Sequence, residues 1–180
     1  MKKGKNRFLG SKKGNAILDV IFIIIFIFGF ALSTIIGYKF FLDINEDLQD
    51  QDTFNNQSKE ILNDLEGKYP SLFDGAFLVI LIFLWIAGIV ASFMVDTNPI
   101  FLVATVVMMV FVLFLATVFS NAYEEVTDND GLYSATQEFP ITDFLMGNLY
   151  TIALIMGMTI IIVLFGKFKA GGGLLEWMER

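Results

Sequence analysis

The chain has 180 residues, of which 56% are hydrophobic, and a mean hydropathy of +0.67 that argues against a soluble domain. It contains no Cys and no His, which excludes disulfides, thiolate and imidazole metal sites, thiol nucleophiles and Ser-His-Asp triads. The formal net charge of −7 conceals a strong segregation, because bases and acids occupy separate segments.

Residues 1–14 form a basic tail, followed by an uncharged run from Val20 to Tyr38. A helix of this length crosses the ~30 Å hydrocarbon core of a bilayer. Because Lys and Arg near a span stay on the cytoplasmic side, the tail predicts an inside N-terminus. The basic residues expected to contact the membrane surface or a partner protein are Lys2, Lys3, Lys5, Arg7, Lys12, Lys13, Lys167 and Lys169.

Four apolar runs predict an all-α integral membrane protein, with a four-helix transmembrane bundle over residues 15–166. The predicted spans are about 17–41, 75–95, 100–120 and 144–166, arranged as two tandem hairpins. Nine of the twelve bases fall in segments predicted to be inside, and three fall outside or at the outer edge of the first span. This asymmetry predicts that both termini are cytoplasmic and that residues 167–180 form an inner tail.

The first predicted outer loop, residues 43–74, contains nine acids against two lysines. Its apolar residues between Phe54 and Leu65 follow one face of a short amphipathic helix that ends near Gly67. Because proline removes a helical hydrogen bond, Tyr69-Pro70 is expected to break that helix before the second span.

The second predicted outer loop, residues 121–143, has six acids and no base. Aspartates beside Gly131 suggest an EF-hand, but alignment on that glycine places Val126 at the first ligand position. A turn built on Asn129 is the better interpretation. Thr142 or Asp143 is then expected to cap the fourth span.

Small residues four positions apart lie on one face of a helix and predict where another helix approaches closely. The predicted packing residues are Gly29, Ser33 and Gly37 in the first span, Ala87, Gly88, Ala91 and Ser92 in the second, and Ala153 and Gly157 in the fourth.

The segment Lys13-Gly14-Asn15-Ala16-Ile17-Leu18-Asp19 resembles a prepilin signal, in which cleavage after the Gly leaves an acid as the fifth residue. This resemblance implies processing after Gly14 and a prepilin-like membrane subunit. Pilin-type subunits, however, have one such helix followed by a soluble head. The three further spans of this chain depart from that pattern.

Four stretches, KKGNAILDVIF, YPSLFDGAFL, VASFMVDTNPIF and FPITDFLMGNLYTI, resemble small multispan membrane proteins of tailless, lipid-containing phages and related viruses. In that group such proteins lie in the internal membrane beneath an icosahedral capsid. The resemblance implies a structural protein that contacts capsid or other membrane proteins in many copies. It implies a virion internal membrane as the location and, before assembly, the host cytoplasmic membrane.

The leading hypothesis is therefore a non-enzymatic structural protein, with no cofactor, no metal and no specific nucleic acid. A small channel, holin or transporter subunit is the alternative from a different class. Ion paths need polar groups in mid-bilayer, and the spans contain few beyond Ser33, Thr34, Ser92, Thr105 and Thr159.

Overall fold

The fold is taken from a computed structural model that describes residues 16–51, 54–94 and 99–170, with side chains at 21–51, 54–94 and 102–169. These residues form six α-helices and no strand. The helices are α1 (Ala16–Gln49), α2 (Asn56–Met94), α3 (Pro99–Thr127), α4 (Asp130–Thr136), α5 (Pro140–Gly147) and α6 (Leu149–Ala170). The basic N-terminal tail and most of the C-terminal tail lie outside the described residues.

Four of the six helices, α1, α2, α3 and α6, are long and apolar enough to cross a membrane. At 1.5 Å per residue, the 22 residues of α6 measure about 33 Å and the 39 residues of α2 measure about 58 Å. The sequence prediction of an all-α chain with four spanning-type helices is therefore confirmed.

Around the bundle, α1 contacts α2, α2 contacts α6, α6 contacts α3, and α3 contacts α1. Aliphatic side chains fill the interior, among them Ile27 and Ile35 of α1, Leu81 of α2 and Val112 of α3, all less than 9% exposed. Ala31 and Ala116 are completely buried, and Ala153 of α6 is nearly so. The apolar side chains that remain exposed cover the flanks, as expected of helices solvated by lipid.

The second predicted span and the predicted amphipathic helix are one continuous element in the structure. Pro70 lies inside α2 and is buried, so the expected break at Tyr69-Pro70 is wrong. The preceding residue explains why packing outweighs the lost helical hydrogen bond: the Tyr69 ring stacks on Phe73 at 4.3 Å and on Tyr38 at 5.3 Å between centroids. Phe139 meets both tyrosines edge-on.

Helix α1 runs eight residues beyond the end of the predicted first span at residue 41. A polar ladder joins this extension to the first turns of α2. The Gln49 side-chain amide donates to Asn63 Oδ1 at 3.0 Å and to the Lys59 carbonyl at 3.1 Å. The amide of Asn45, which is 3% exposed, donates to Asn63 Oδ1 at 3.2 Å and to Glu66. The first acidic loop is therefore largely two packed helix ends.

The second acidic loop is also mostly helical. Helix α3 continues to Thr127, and Asn129 starts α4 by accepting a hydrogen bond from the Gly131 amide at 3.1 Å, as the predicted turn requires. The fourth long helix begins at Leu149, not at 144, because the chain leaves helical geometry at Asn148. Thr142 and Asp143 lie inside α5, so the expectation that either caps the fourth span is wrong.

Candidate functional site

The short helices α4 and α5 cover the end of the bundle at which α1 and α3 finish and α2 and α6 begin. We call this the acidic end, because it contains the two acidic segments at residues 43–74 and 121–143. Helix α5 packs against α2, α3, α1 and α6, and α4 packs against α1 and α3. Phe139 and Met146 are completely buried and Thr142 is 1% exposed, so α5 is an integral part of the packing.

Asp74 of α2 holds the N-terminus of α5. Its carboxylate is 4% exposed and accepts hydrogen bonds from the Ile141 amide at 2.9 Å and from the Thr142 amide at 2.6 Å. Phe139, at the N-cap position, makes no side-chain cap bond. The first amides of a helix have no partner within the helix and carry its positive partial charge. Asp74 therefore replaces a local cap from 67 residues away along the chain.

Ser120 of α3 holds the other end of α5. Its buried hydroxyl approaches the carbonyl oxygens of Met146 and Gly147 at 2.9 Å each, and donates a shared hydrogen bond to them. Carbonyls at a helix C-terminus lack partners within the helix, so the contact supplies a donor to acceptors at this end of α5. An eight-residue helix is thus bonded to α2 at one end and to α3 at the other.

Between these two attachments lie two buried hydroxyls without a hydrogen-bond partner. Tyr123 of α3 is completely buried, and its hydroxyl lies beside the Asp143 carboxyl without adopting hydrogen-bond geometry. The Thr142 hydroxyl is likewise unsatisfied. Because buried polar groups normally find partners, these are places where a small rearrangement of α5 would form a new hydrogen bond.

Asp143 is a half-buried carboxyl in an acidic environment. Burial raises the pKa of Asp143 above its ordinary value, while the Tyr123 hydroxyl opposes this shift. The negative charges of Asp128, Glu124 and Asp74 raise the pKa further. Five basic residues are described, Lys39, Lys59, Lys68, Lys167 and Lys169, and none forms an ion pair with Asp143.

An open cleft of ≈ 630 Å³ lies beside Asp143. Its lining residues are Glu124, Thr127, Asp128, Thr136, Gln137, Pro140, Asp143, Phe144, Gly147 and Asn148. Although three are acids, no group of three or more carboxylates in the described part of the chain has the arrangement of a metal site. The chemistry that this arrangement supports is proton binding at a helix that is otherwise firmly attached.

The small residues predicted to pack divide into two groups. Ser92 and Ala153 are buried, a Cβ on Gly88 would lie 3.3 Å from Ile160 Cδ1, and a Cβ on Gly157 would lie 2.1 Å from Met109 Sδ. These four residues mark close helix contacts within the chain, and Ala91 is half-buried beside them.

The other group lies on surfaces that this chain leaves open. Gly29, Ser33 and Ala87 are exposed, and no atom lies within 4 Å of a Cβ built on Gly29. Gly37 is half-buried, with the Tyr69 hydroxyl 3.3 Å from a built Cβ. The reason for the difference is helical phase, since α1 turns Ile27, Ala31 and Ile35 toward the interior. Packing at Gly29 and Ser33 stays a prediction for contacts with another chain.

Replacing Gly37 by leucine is expected to lower the free energy of unfolding by about 1–3 kcal/mol, since Tyr69 must move within its aromatic cluster. Gly29→Leu is the matched control and is expected to leave monomer stability unchanged within about 0.5 kcal/mol. The measurement is detergent-titrated unfolding followed by circular dichroism. Equal losses of stability for both variants would contradict the orientation of α1, in which Gly29 points away from the interior. A smaller oligomer for Gly29→Leu alone would show that the face containing Gly29 packs against another chain.

At the opposite end of the bundle, Lys167 donates a hydrogen bond to the Phe93 carbonyl of α2 at 2.6 Å. A lysine that bonds the last carbonyls of a helix also favours the negative end of its dipole. Lys169 is exposed. The remaining basic residues predicted to contact a membrane surface or a partner, those of residues 2–13, lie outside the described residues.

The sequence does not single out Asp74, the residue that caps α5, because Asp74 is one of nine acids in the first predicted outer loop. A signal for it exists, since it is the last charged residue before the uncharged run at residues 75–95. Tyr123 and Ser120 carry no comparable signal in the sequence.

Comparison with protein-family models, with curated proteins and with solved structures finds no match. The fold and the site therefore define only a class of protein. It is an all-helical chain with four helices long and apolar enough to cross a membrane, and with an acidic end covered by two short helices.

Proposed function

We propose that this chain is a non-enzymatic structural protein of the internal membrane of a lipid-containing virion. In this proposal it packs into the bilayer in many copies and contacts capsid or other membrane proteins of the particle. The observation that supports it best is the closed and predominantly apolar interior of a four-helix body whose flanks are apolar. The virion placement comes from the resemblance of its four sequence stretches to membrane proteins of tailless phages.

The interior supports a packing role over a pore. At mid-height the space between the helices is occupied by Ile27, Ala31, Leu81, Val112 and Ala116, each less than 9% exposed. A conduction path needs polar groups or a water-filled space at this depth. A channel, holin or transporter subunit would therefore require several copies to form a pore between chains.

The contacts of α1 with α2 and of α3 with α6 support the arrangement as two tandem hairpins. With the basic tail on the cytoplasmic side, the acidic end faces away from the cytoplasm. In a vesicle that buds inward, the cytoplasmic leaflet becomes the outer one, so the basic tail faces the capsid. The acidic end then faces the genome, where repulsion is screened beyond ~8 Å at physiological salt.

Cysteine labelling tests the topology, because the natural chain contains no Cys. Single Cys residues at exposed positions Gln57 and Ser134 report the acidic end, and Ser11→Cys and Gly172→Cys report the termini. In intact spheroplasts, an impermeant maleimide is expected to label positions 57 and 134 and to spare 11 and 172. Labelling at 11 with protection at 57 would reverse the orientation.

Crosslinking of purified particles tests the virion placement. A lysine-reactive crosslinker is expected to join the lysines at positions 2–13 to capsid proteins in preference to proteins of the lumen. The matched control is the same reagent on membranes of infected cells before assembly, where these crosslinks should be missing. Absence of the protein from purified particles would refute the placement and leave the membrane class unaffected.

A further inference from the structure

We propose that α5 is a proton-sensitive clamp: protonation of Asp143 tightens its packing over the acidic end, and ionisation loosens it and widens the adjacent cleft. The device is independent of the virion placement, because it follows from the contacts within one chain. Three structural features carry it: the attachment of α5 at both ends, the cluster of carboxyl groups around Asp143, and the buried Tyr123 hydroxyl.

The first feature makes α5 an element that can move as a unit. It has eight residues, its N-terminus is bonded to Asp74 of α2, and its C-terminus is bonded to Ser120 of α3. Phe139 on one side of α5 and Asn148 on the other mark the points where the helical geometry is interrupted. Loosening of α5 therefore stretches a few identified hydrogen bonds and leaves the long helices in place.

The second feature is an excess of negative charge around Asp143. The groups that act on it are Asp74 of α2, Tyr123 and Glu124 of α3, and Asp128 in the connection between α3 and α4. Helices α1 and α6 also touch α5. The lysines at this end have other partners: Lys39 of α1 is paired with Asp43 at 2.5 Å, Lys68 of α2 is paired with Asp64 at 2.7 Å, and Lys59 of α2 donates to the Gln49 carbonyl. The two lysines of α6 lie at the opposite end. Among the residues that the structure describes, no cation is therefore paired with an ionised Asp143 to offset this repulsion.

The third feature is a hydrogen-bond partner for the protonated Asp143 carboxyl. The Tyr123 hydroxyl is completely buried, has no hydrogen-bond partner and lies beside Asp143. A protonated carboxyl has both a donor and an acceptor, so it pairs with a hydroxyl without placing a charge in an apolar environment. The same hydroxyl also donates to an ionised carboxylate and so opposes the rise in the pKa of Asp143, but only pairing with the protonated form removes the repulsion between carboxylates and leaves no charge in this half-buried position.

The sign of the pH dependence follows from linkage. Burial and neighbouring charges raise the pKa of Asp143 when α5 is in place, whereas an exposed Asp143 in a released α5 has an ordinary carboxyl pKa. Between those two values the packed form binds more protons than the released form. The packed form is therefore favoured as pH falls through this window and weakened as pH rises, by at most about tenfold per pH unit for one proton.

Hydrogen–deuterium exchange of the full chain in nanodiscs of zwitterionic lipid tests the clamp, with rates corrected for the intrinsic pH dependence of amide exchange. The readout is the protection factor of the peptide covering residues 140–148, referred to one covering residues 110–118 of α3. We expect protection of the α5 peptide to rise as pH is lowered from 7.5 toward the ordinary carboxyl pKa of about 4, with the α3 peptide unchanged. A flat profile for the natural chain would overturn the proposal.

Three variants assign the effect. Asp143→Asn is expected to hold the α5 peptide at its high protection at every pH, whereas Asp47→Asn, on an exposed surface of α1, should leave the pH dependence intact. Glu124→Gln removes one neighbouring charge and should shift the midpoint to lower pH. Persistence of the full pH dependence in Asp143→Asn would overturn the proposal and move the titration to another carboxyl.

Discussion

Replacing Asp74 by alanine is expected to lower the free energy of unfolding by about 3 kcal/mol, because the Ile141 and Thr142 amides lose their only acceptor. The carboxylate is buried, so water cannot replace it in the folded chain without opening the packing. The loss should be measured by detergent-titrated unfolding of the full chain and should be accompanied by faster amide exchange across residues 140–148.

Two matched variants separate this bond from general effects of removing a charge. Asp47→Ala removes an exposed acid at the same end of the bundle and is expected to change stability by less than about 0.5 kcal/mol. Asp74→Asn keeps one acceptor oxygen and should lose about half as much as Asp74→Ala. Equal stability of Asp74→Ala and Asp47→Ala would show that α5 does not depend on this carboxylate.

Gly157→Leu is expected to destabilise the contact between α3 and α6 by about 1–3 kcal/mol. A Cβ at this position would overlap the far end of the flexible Met109 side chain, which must move away. The remaining carbons of leucine then need space between α3 and α6 that only a wider helix spacing provides. In lipid, helices associate by close packing of small residues, so a wider spacing loses much of the interaction.

The control for this variant is Gly166→Leu, on the same helix, where no atom lies within 4 Å of a built Cβ. It should leave stability unchanged within about 0.5 kcal/mol. Met109→Ala should partly restore the stability of Gly157→Leu, because it removes the atoms that clash. Purely additive losses in the double variant would argue that the two residues do not meet.

Sequence reasoning predicted the long helices well because their signal is local. A run such as 20–38 without a charged residue has few alternatives to a spanning helix, whatever its neighbours are. The prediction of a break at Tyr69-Pro70 was wrong for the opposite reason. Proline weakens a helix locally, but stacking with Phe73 and Tyr38 depends on a neighbour 31 residues away, which no local pattern reports.

The small residues of the first span show the same limit of local patterns, which predict a helix face but not the neighbour that this face contacts. Four-residue spacing placed Gly29, Ser33 and Gly37 on one face, but spacing does not say which direction the face points. In the structure Ala31 and Ile35 of α1 face the bundle interior, so Gly29 is exposed on the outer side of the helix. Gly37 lies at the edge of the contact between α1 and α2, near the Tyr69 hydroxyl. Gly157, by contrast, meets Met109 directly because the crossing of α3 and α6 brings them together.

Composition and hydropathy by themselves determined the helical membrane class, the four long helices and the separation of acids from bases, because each depends on residues adjacent in the chain. Tertiary structure alone decided that Asp74 caps α5, that Ser120 holds its other end, and that Asp143 lies among Asp74, Glu124 and Asp128. These contacts join residues up to 69 positions apart, and the physical reason is burial: a carboxylate acquires a specific role only where the fold removes water and supplies particular donors.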